Sequence, residues 1–287
     1  MRAMAGRRLG LRGRERLLNA VAYALLILAI AIVFFPLLWM LTVSVRPNIE
    51  VTKMPPDWIP EVFTLEGYLK IFGNTRFLIV FLNTMAISLL VTILSLILGA
   101  TAAYALARFR FAGQRSVLMF LIITQMFPLV LLCIPYFRIF ITLGLYDTRT
   151  SLVLVYLTFT LPFCILMLRS YFLNIPRDIE EAAMMDGCTR LQAMFRMLLP
   201  MSYPGFIGAG LYTFLLAWNE FLFAVVLIES WENRVLTMAI YSLMAEFVTD
   251  WNTMMAFSVL ASLPLVVAFI FLQKFMVQGM TAGALTS

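Results

Sequence analysis

Long stretches without a charged side chain are the feature that most limits how this chain can fold. A helix needs about 20 apolar residues to cross the hydrocarbon core of a membrane. Six stretches of about that length lie near residues 17–45, 77–107, 116–137, 150–168, 201–228 and 251–273, and Glu220 is the one charge inside them. The chain is 63% hydrophobic and 13% charged, whereas soluble domains average about 45–50% and about 25%. We therefore predict an all-α integral membrane protein with six transmembrane helices.

The distribution of basic residues predicts which side of the membrane each end occupies. Residues 1–16 carry six arginines and one acid, and the apolar run that follows has 29 residues. A cleaved signal peptide has an apolar region of only about 7–15 residues, so this run is predicted to be an uncleaved first span. With six spans, 14 of the 21 Lys and Arg residues lie on the side of both termini, which favours N-in and C-in orientation. The predicted parts are a cytoplasmic N-terminus (1–16), a six-span domain (17–277) and a cytoplasmic tail (278–287).

The side-chain inventory argues against catalysis by this chain. It contains no histidine, the commonest general base and metal ligand, and no GxxxxGK[ST] loop that would cradle a nucleotide phosphate. Its three cysteines, Cys133, Cys164 and Cys188, lack metal-ligand spacing. The net charge of +6 is not gathered on a polar domain. The sequence therefore indicates no enzyme, no metal site and no nucleic-acid partner.

One interval between two apolar runs, residues 174–200, has more charge than a simple chain reversal requires. Within 20 residues it contains four acids and three arginines: Asp178, Glu180, Glu181, Asp186, Arg177, Arg190 and Arg196. The six-span topology places it in the cytoplasm. A hairpin lying on lipid headgroups is one interpretation, but a membrane anchor usually carries a basic polar face. The acidic pattern favours docking to a cytoplasmic partner.

Local signals in this interval predict two short helices joined by a sharp turn. Pro176 suits the first turn of a helix, and the acids that follow favour its positive end. Gly187 suits the left-handed residue just past a helix C-terminus. Thr189 and Gln192 match a capping box that opens a second helix, and Pro200 is expected to end that helix.

The apolar side chains of the two short helices predict which faces make contacts. Ile179, Ala182 and Ala183 are spaced i, i+3 and i+4, so they are expected to form one narrow face that enters a partner's cleft. Leu191 and Phe195 are expected on the apolar side of the second helix, together with 198–199.

The same interval resembles the EAA signature of permease subunits of ABC importers, which reads EAA-x3-G-x9-I-x-LP. The matching positions are Glu181-Ala182-Ala183, Gly187, Met197 in place of Ile, and Leu199-Pro200. Segments along most of the chain are similar to carbohydrate permeases of the maltose-transporter type: residues 103–109, 134–135, 143–148, 175–177, 217–222 and 279–283. The last three residues, 285–287, depart from the Lys-Gly ending of many such permeases.

The resemblance implies a type I ABC importer permease fold in a bacterial or archaeal inner membrane. In that family the EAA segment is the coupling helix, which inserts into a groove on a cytoplasmic ATPase. The residues that the resemblance assigns to this role are Glu181, Ala182, Ala183, Asp186, Gly187, Leu199 and Pro200. It also implies a second permease subunit, a dimer of ATP-binding subunits that holds ATP and Mg²⁺, and an extracytoplasmic binding protein for a di- or oligosaccharide. No cofactor is expected in this chain.

Four polar side chains in the apolar runs are candidates for lining a substrate pathway: Asn83, Gln125, Asn219 and Glu220. An ionisable group is costly to bury in lipid, which makes Glu220 a functional candidate. Its role stays open between direct sugar contact, a hydrogen bond between helices or at a gate, and a position where it is hydrated or pairs with Arg138 or Arg149. Asn83 and Gln125 either tie helices together or contact substrate.

Two segments are predicted to lie outside the membrane on the far side. Residues 46–76 read as a loop on the membrane surface. The acidic loop at 229–250, with Glu229, Glu232, Glu246 and Asp250, is either solvated or a contact for a binding protein. The rivals to a sugar ABC permease are an ABC permease for another solute, a receptor or scaffold, and a secondary transporter. The last would need ionisable residues near the midplane, where only Glu220 is available.

Overall fold

A computed structural model describes residues 2–55, 57–244 and 249–284, and the regular structure within these ranges is helical. The α-helices are α1 (Arg2–Ser44), α2 (Asn48–Val51), α3 (Glu66–Phe72), α4 (Thr75–Arg108), α5 (Gln114–Met126), α6 (Cys133–Thr142), α7 (Arg149–Asn174), α8 (Arg177–Met185), α9 (Arg190–Ala193), α10 (Leu199–Met201), α11 (Tyr203–Trp218), α12 (Leu222–Leu227), α13 (Leu236–Ser242) and α14 (Trp251–Ala284). Two 3₁₀ turns (Leu129–Leu132 and Trp231–Asn233) and one π-helical turn (Met194–Leu198) complete the order. The all-α prediction is confirmed.

Most of the predicted spans correspond to long apolar helices. Four described segments are long and apolar enough to cross a membrane: Leu18–Ser44, Thr75–Arg108, Arg149–Asn174 and Trp251–Gln273. A fifth candidate is a bent pair, Gln114–Met126 with Leu129–Thr142, whose axes meet at 97°. The count of six spans stays a prediction, as does the N-in and C-in orientation.

The bend in the third predicted span lies at Pro128. Phe127 adopts an extended conformation, with φ −77° and ψ 129°, because a proline disfavours the helical conformation of the residue before it. By contrast, Pro162 and Pro264 lie inside α7 and α14 without ending them. Of these three prolines, Pro128 is the one that lies at a break between helices.

The fifth predicted span, at residues 201–228, is divided in the structure. Helix α11 has 16 residues and α12 has six, and residues 219–221 form a turn between them. The break occurs at residues without proline or glycine, so the sequence carried no helix-breaking signal there, and the apolar run was predicted as one span.

The described residues form two compact units, and the first comprises residues 1–70 and 249–259. Within it, the Asn252 amide donates to the carbonyl oxygens of Ser44 (3.0 Å) and Arg46 (2.9 Å). The buried Arg46 guanidinium donates to the Asp57 carbonyl at 2.9 Å and lies over the Trp39 ring. The segment that follows α1 is thus a folded element rather than a loose loop.

The second unit comprises residues 71–248 and 260–287, and its core forms along α4, α7 and α11. Two apolar clusters fill it, one around residues 87–91 of α4 and 152–156 of α7, the other around 100–107 and 164–172. Small residues let these helices approach closely. A Cβ at Gly205 of α11 would lie 2.5 Å from the Tyr171 ring of α7, which accounts for glycine there.

Candidate functional site

Helix α8 and the turn after it have the local structure that the sequence predicts. Pro176 lies directly before α8, and Asp178 and Glu180 lie in its first turn. The amide of Gly187 donates to the Met184 carbonyl at 3.1 Å, and the amide of Cys188 to the Ala183 carbonyl at 3.0 Å. These two bonds form a Schellman motif, which requires a left-handed residue after the helix. Gly187 has φ +91°, so the prediction for this glycine is confirmed.

The second short helix starts as predicted but ends differently. Thr189 and Gln192 form a reciprocal capping box, with bonds of 3.3 Å and 2.8 Å. Helix α9 then widens into the π-helical turn 194–198, continues as α10 and stops at Ser202. The widening precedes Pro200, which has no amide N–H and would press on the carbonyl of Arg196 in a regular α-helix. The expectation that Pro200 itself ends the helix was wrong by two residues.

The two short helices do not present the faces that the sequence suggested. Ala183 is buried at 4% exposure, whereas Ala182 is exposed. The predicted face that joins Ile179, Ala182 and Ala183 is therefore wrong, because Ala183 lies on the inner side of α8 and Ala182 on its outer side. Helix α8 packs on α9 and the π-helical turn. In the second helix Leu191 and Phe195 are also exposed. The buried residues of this segment are Ala193, Met194 and Leu198; of the predicted apolar side, Leu198 is thus buried as expected and Leu199 is half-buried.

The outward side of α8 and its turn forms a continuous exposed surface. We call it the docking face, and it consists of Glu181, Ala182, Met185, Asp186 and Gly187. It combines two carboxylates with a small side chain, an apolar side chain and a glycine. Such a surface fits a partner groove that is apolar at its base and cationic at its rim.

The remaining candidates for coupling, Leu199 and Pro200, lie beyond the second short helix. Leu199 is half-buried and Pro200 is exposed. Leu199 lines an apolar groove of about 320 Å³ with Phe195, Phe206 and Leu96. These two residues thus support the end of the segment and lie outside the docking face.

Glu180, one of the four acids of the interval but not among the residues assigned to coupling, joins α8 to the end of α4. Its side chain is 8% exposed and pairs with the Nε of Arg108, whose side chain is 6% exposed. The Tyr104 hydroxyl donates to the second carboxylate oxygen at 3.0 Å. Arg108 also donates from Nη2 to the Ile175 carbonyl at 3.0 Å. One signal was available in the sequence, since both partners belong to the segment 103–109 that resembles sugar permeases.

Asn83 is buried in the N-terminal part of α4 and belongs to a hydrogen-bond network. Its amide donates to the carbonyls of Glu232 (2.8 Å) and Arg234 (3.0 Å), and its oxygen accepts from Arg149 at 3.0 Å. The next residue, Thr84, accepts from the amide of Leu236 at 2.8 Å. Asn83 thus ties α4 to α7 and to the segment before α13, one of the two roles that the sequence left open.

The other three pathway candidates bond to different parts of the chain. Gln125, at the end of α5, donates to the Phe159 carbonyl of α7 at 3.1 Å, and Asn219 donates to the Leu215 carbonyl at 2.9 Å. Both are exposed. The structure places Asn219 and Glu220 together at the break after α11 and does not join them to Gln125 through any of the bonds described.

Glu220 explains the break between α11 and α12. Its carboxylate accepts from the amides of Phe223 at 2.8 Å and Ala224 at 3.2 Å, so it caps the first turn of α12. Its carbonyl accepts from the Thr237 hydroxyl at 2.7 Å. Among the described residues, neither Arg138 nor Arg149 lies within ion-pair distance of it. The structure thus does not show pairing with these arginines, one of the alternatives that the sequence left open.

The loop between α6 and α7 is held by Asp147, which has φ +56°. Its carboxylate accepts from the amides of Glu229 and Ser230 and from the Ser230 hydroxyl, each at 3.0 Å. Its carbonyl accepts from Asn233 at 2.6 Å. Burial alone would raise the pKa of Asp147, but these bonds outweigh it and lower the pKa below its ordinary value. The start of the acidic loop is thus fixed in place.

The end of the acidic loop is held separately, in the first unit. Asp250 accepts from Asn48 at 2.7 Å, from Lys70 at 2.9 Å, and from the Thr253 amide and hydroxyl at 3.1 Å and 2.8 Å. Burial opposes ionisation, but these donors bring the pKa of Asp250 to about 2. Glu246, also named as part of this loop, lies outside the described residues, as do residues 285–287 of the tail.

Known proteins are similar to this chain over most of its length. Residues 95–282 match the family described as "Binding-protein-dependent transport system inner membrane component". The inner membrane ABC transporter permease protein YcjP of Escherichia coli (strain K12) is 38% identical over 263 residues, or 91% of this chain and 94% of that protein. The sulfoquinovosyl glycerol transport system permease protein SmoH of Agrobacterium fabrum is 37% identical over 251 residues, or 88% of each.

The fold has a counterpart among solved structures. A chain of a bacterial ABC transporter involved in the import of the acidic polysaccharide alginate superposes with a TM-score of 0.76 at 23% identity. The match covers 90% of this chain and 96% of that one. At this identity the likeness concerns the fold.

Proposed function

The chain belongs to the family of binding-protein-dependent transport system inner membrane components, and we propose that it is one permease subunit of an ATP-driven carbohydrate importer. It is a multi-pass inner membrane protein and a transport component with the fold of type I ABC importer permeases. The sugar assignment is supported by relatives named for sulfoquinovosyl glycerol, trehalose and trehalose/maltose transport. Those relatives match about nine tenths of this chain.

The observation that carries the mechanism is the exposed docking face on α8, a helix that Glu180 connects to Arg108 at the end of α4. The docking face enters a groove on a cytoplasmic ATPase, where Ala182 and Gly187 allow close approach and Glu181 and Asp186 meet cations. ATP and Mg²⁺ bind to a dimer of that ATPase, and closure of the dimer moves α8. Leu199 and Pro200 set where the segment rejoins α11.

On the other side of the membrane, the chain forms half of a translocation pathway with a second permease subunit. An external binding protein delivers the sugar to this side. Asp147 holds the start of the acidic loop at Glu229 and Ser230, and this fixed part of the loop is the surface that we propose for contact with the binding protein. The exposed amides of Gln125 and Asn219 are available for sugar hydroxyls, whereas Asn83 and Glu220 position neighbouring segments.

Reconstitution of the whole importer in liposomes tests this function. We expect uptake of a labelled di- or oligosaccharide from a panel only when ATP is inside and the binding protein is outside. Ionophores that collapse ion gradients should leave this uptake unchanged. Uptake driven by an ion gradient without ATP would instead identify a secondary transporter. ATPase binding without uptake of any solute would identify a receptor or scaffold, and ATP-driven uptake of a non-sugar would refute the substrate class alone.

Gly187→Asp tests the coupling role of the docking face. We expect it to abolish ATP-driven uptake while the protein still inserts, because it adds a charged side chain where φ is +91°. Gly113→Asp is the matched control, since Gly113 has φ +89° with open space around it and lies in another loop. Uptake should persist in the control. Equal loss in both variants would attribute the effect to backbone strain, and normal uptake by Gly187→Asp would refute the coupling assignment.

A further inference from the structure

Glu180 faces inward from the docking helix, and we propose that Glu180, Arg108 and Tyr104 form the linkage that transmits movement of the docking face to α4. The inference rests on the proposed function, since it concerns how ATPase movement reaches the membrane. Glu180 lies next to Glu181, but successive residues of a helix point about 100° apart. The two acids therefore have different tasks: Glu181 contacts the partner and Glu180 holds α8 to its own chain.

The linkage bonds in several directions, which is what force transmission requires. One carboxylate oxygen of Glu180 accepts from Arg108 and the other from Tyr104 at 3.0 Å. The same guanidinium donates to the Ile175 carbonyl, just before α8, at 3.0 Å. Arg108 thus bonds both to Ile175, which precedes α8, and to Glu180 in the first turn of α8. Apolar contacts alone would allow α8 to slide, whereas a planar guanidinium fixes the direction of each bond.

The end of α4 accepts further hydrogen bonds from side chains of α8, α7 and α5. Arg177 of α8 donates to the Ala107 carbonyl at 3.4 Å, and Arg169 of α7 donates to the Leu106 carbonyl at 3.2 Å. Gln114 donates to the same Leu106 carbonyl at 2.7 Å. Cations suit the negative end of a helix dipole, so they secure this terminus. Movement of α8 must displace the end of α4 or break the bonds that Arg177 and Glu180 make to it.

Helix α4 is suited to carry the movement further. It has 34 residues, which corresponds to a length of about 50 Å. It packs along α7 and α11, and near its other end Asn83 holds the segment before α13. A shift at Arg108 is therefore delivered to the helices that would line the pathway.

Stability alone is a poor explanation for this buried pair. Dehydrating two charges offsets much of their attraction, so a well-packed apolar pair often stabilises a fold equally well. An ion pair with two further hydrogen bonds instead fixes one relative position of two helices. That property is useful when the helices must move together.

The test compares Glu180→Gln with wild type in the reconstituted importer and measures sugar molecules imported per ATP hydrolysed. Glutamine keeps the shape of the side chain but removes the charge. We expect ATPase binding and binding-protein-stimulated hydrolysis to persist, while import per ATP falls by about fivefold or more, the lower end of usual coupling factors. The double variant Arg108→Gln/Glu180→Gln should be no worse than the more severe single variant, because the linkage is then already broken.

Glu66→Gln is the matched control, because Glu66 forms an exposed ion pair with Lys70 at 2.9 Å. Such pairs contribute little, so import per ATP should equal that of wild type. If Glu180→Gln does not assemble, Tyr104→Phe is tested in its place. It removes only the hydroxyl that bonds to Glu180, so we expect import per ATP to fall less than the decrease of about fivefold expected for Glu180→Gln.

The outcomes separate the linkage from the proposed function. The linkage would be overturned if Glu180→Gln imported sugar like the wild type, with the same number of sugar molecules per ATP hydrolysed. The same result in Tyr104→Phe would overturn it if that variant is the one that decides. Uptake and hydrolysis that fall in proportion in the assembled variant that decides would show a structural role and would also overturn the linkage. Absence of ATP-driven import by the wild type would instead refute the proposed function.

Discussion

Replacing each of two adjacent alanines by leucine separates the outward from the inward face of α8. Ala183 is 4% exposed and α8 packs there on α9 and the π-helical turn, whereas Ala182 is exposed on the docking face. Three extra heavy atoms at Ala183 must displace packed neighbours, which costs about 1–3 kcal/mol. At Ala182 the same atoms enter solvent, and leucine forms helices nearly as well as alanine, so stability should change by less than about 0.5 kcal/mol.

For binding to the ATPase, the order of the two variants should be reversed, and Ala182→Leu should have the larger effect. Ala182→Leu places its extra atoms against the ATPase groove, and an overpacking cost of about 1–3 kcal/mol there weakens binding by about 5–150-fold. Melting of the purified permease in detergent measures the stability term, and titration with the purified ATPase measures the affinity. We expect a lower melting temperature only for Ala183→Leu and a direct loss of affinity only for Ala182→Leu.

Ala182→Ser supplies the control, because its small side chain should bind the ATPase as the wild type does. The opposite pattern would refute the reasoning from burial: a stable Ala183→Leu with weakened ATPase binding, or an Ala182→Leu that melts early and binds normally. If both variants had the same melting temperature and the same affinity for the ATPase, α8 would not be part of the interface.

Three further predictions concern other parts of the chain. Asp250 has a folded pKa of about 2, so its stabilisation is complete above its ordinary pKa and is lost as the pH falls towards 2. We expect about 1 kcal/mol after screening, seen as a melting difference from Asp250→Asn that shrinks between pH 7 and pH 3. Gly205→Ala should lower the melting temperature, because its Cβ would lie 2.5 Å from the Tyr171 ring, and Gly205→Ala/Tyr171→Ala should lose less than the two single effects combined. Asn83→Ala removes the donor to the carbonyls of Glu232 and Arg234, at a cost of about 1–3 kcal/mol for the two bonds together, and should speed hydrogen exchange at residues 232–236.

The parts of the site that were predictable from sequence depend on neighbours within a few residues. The capping box of Thr189 and Gln192 and the left-handed Gly187 are local, since each satisfies backbone groups of its own helix end. The apolar runs are similarly direct, because a helix in lipid must satisfy its backbone within itself. These features were therefore readable without any knowledge of tertiary contacts.

The remaining features depend on partners far along the chain. Glu180 lies 72 positions from Arg108, and nothing in the acidic pattern of α8 distinguishes a carboxylate that will be buried from one that will face solvent. Glu220 looked like a charge in a span, yet it caps a helix that begins two residues later. Whether a polar residue serves function or folding is decided by which donor reaches it, and that is a tertiary property.

The two faces of α8 also determine the charge that a partner meets. Arg108 neutralises Glu180 inside the chain, so that acid adds nothing to the outer surface. The acids left exposed in and just after α8 are Asp178, Glu181 and Asp186, which makes this surface negative although the whole chain carries a net charge of +6. The ATPase groove must therefore supply cations. Because exposed charges are screened within about 8 Å at physiological ionic strength, association should weaken as salt rises, while the buried linkage behind it should be much less affected.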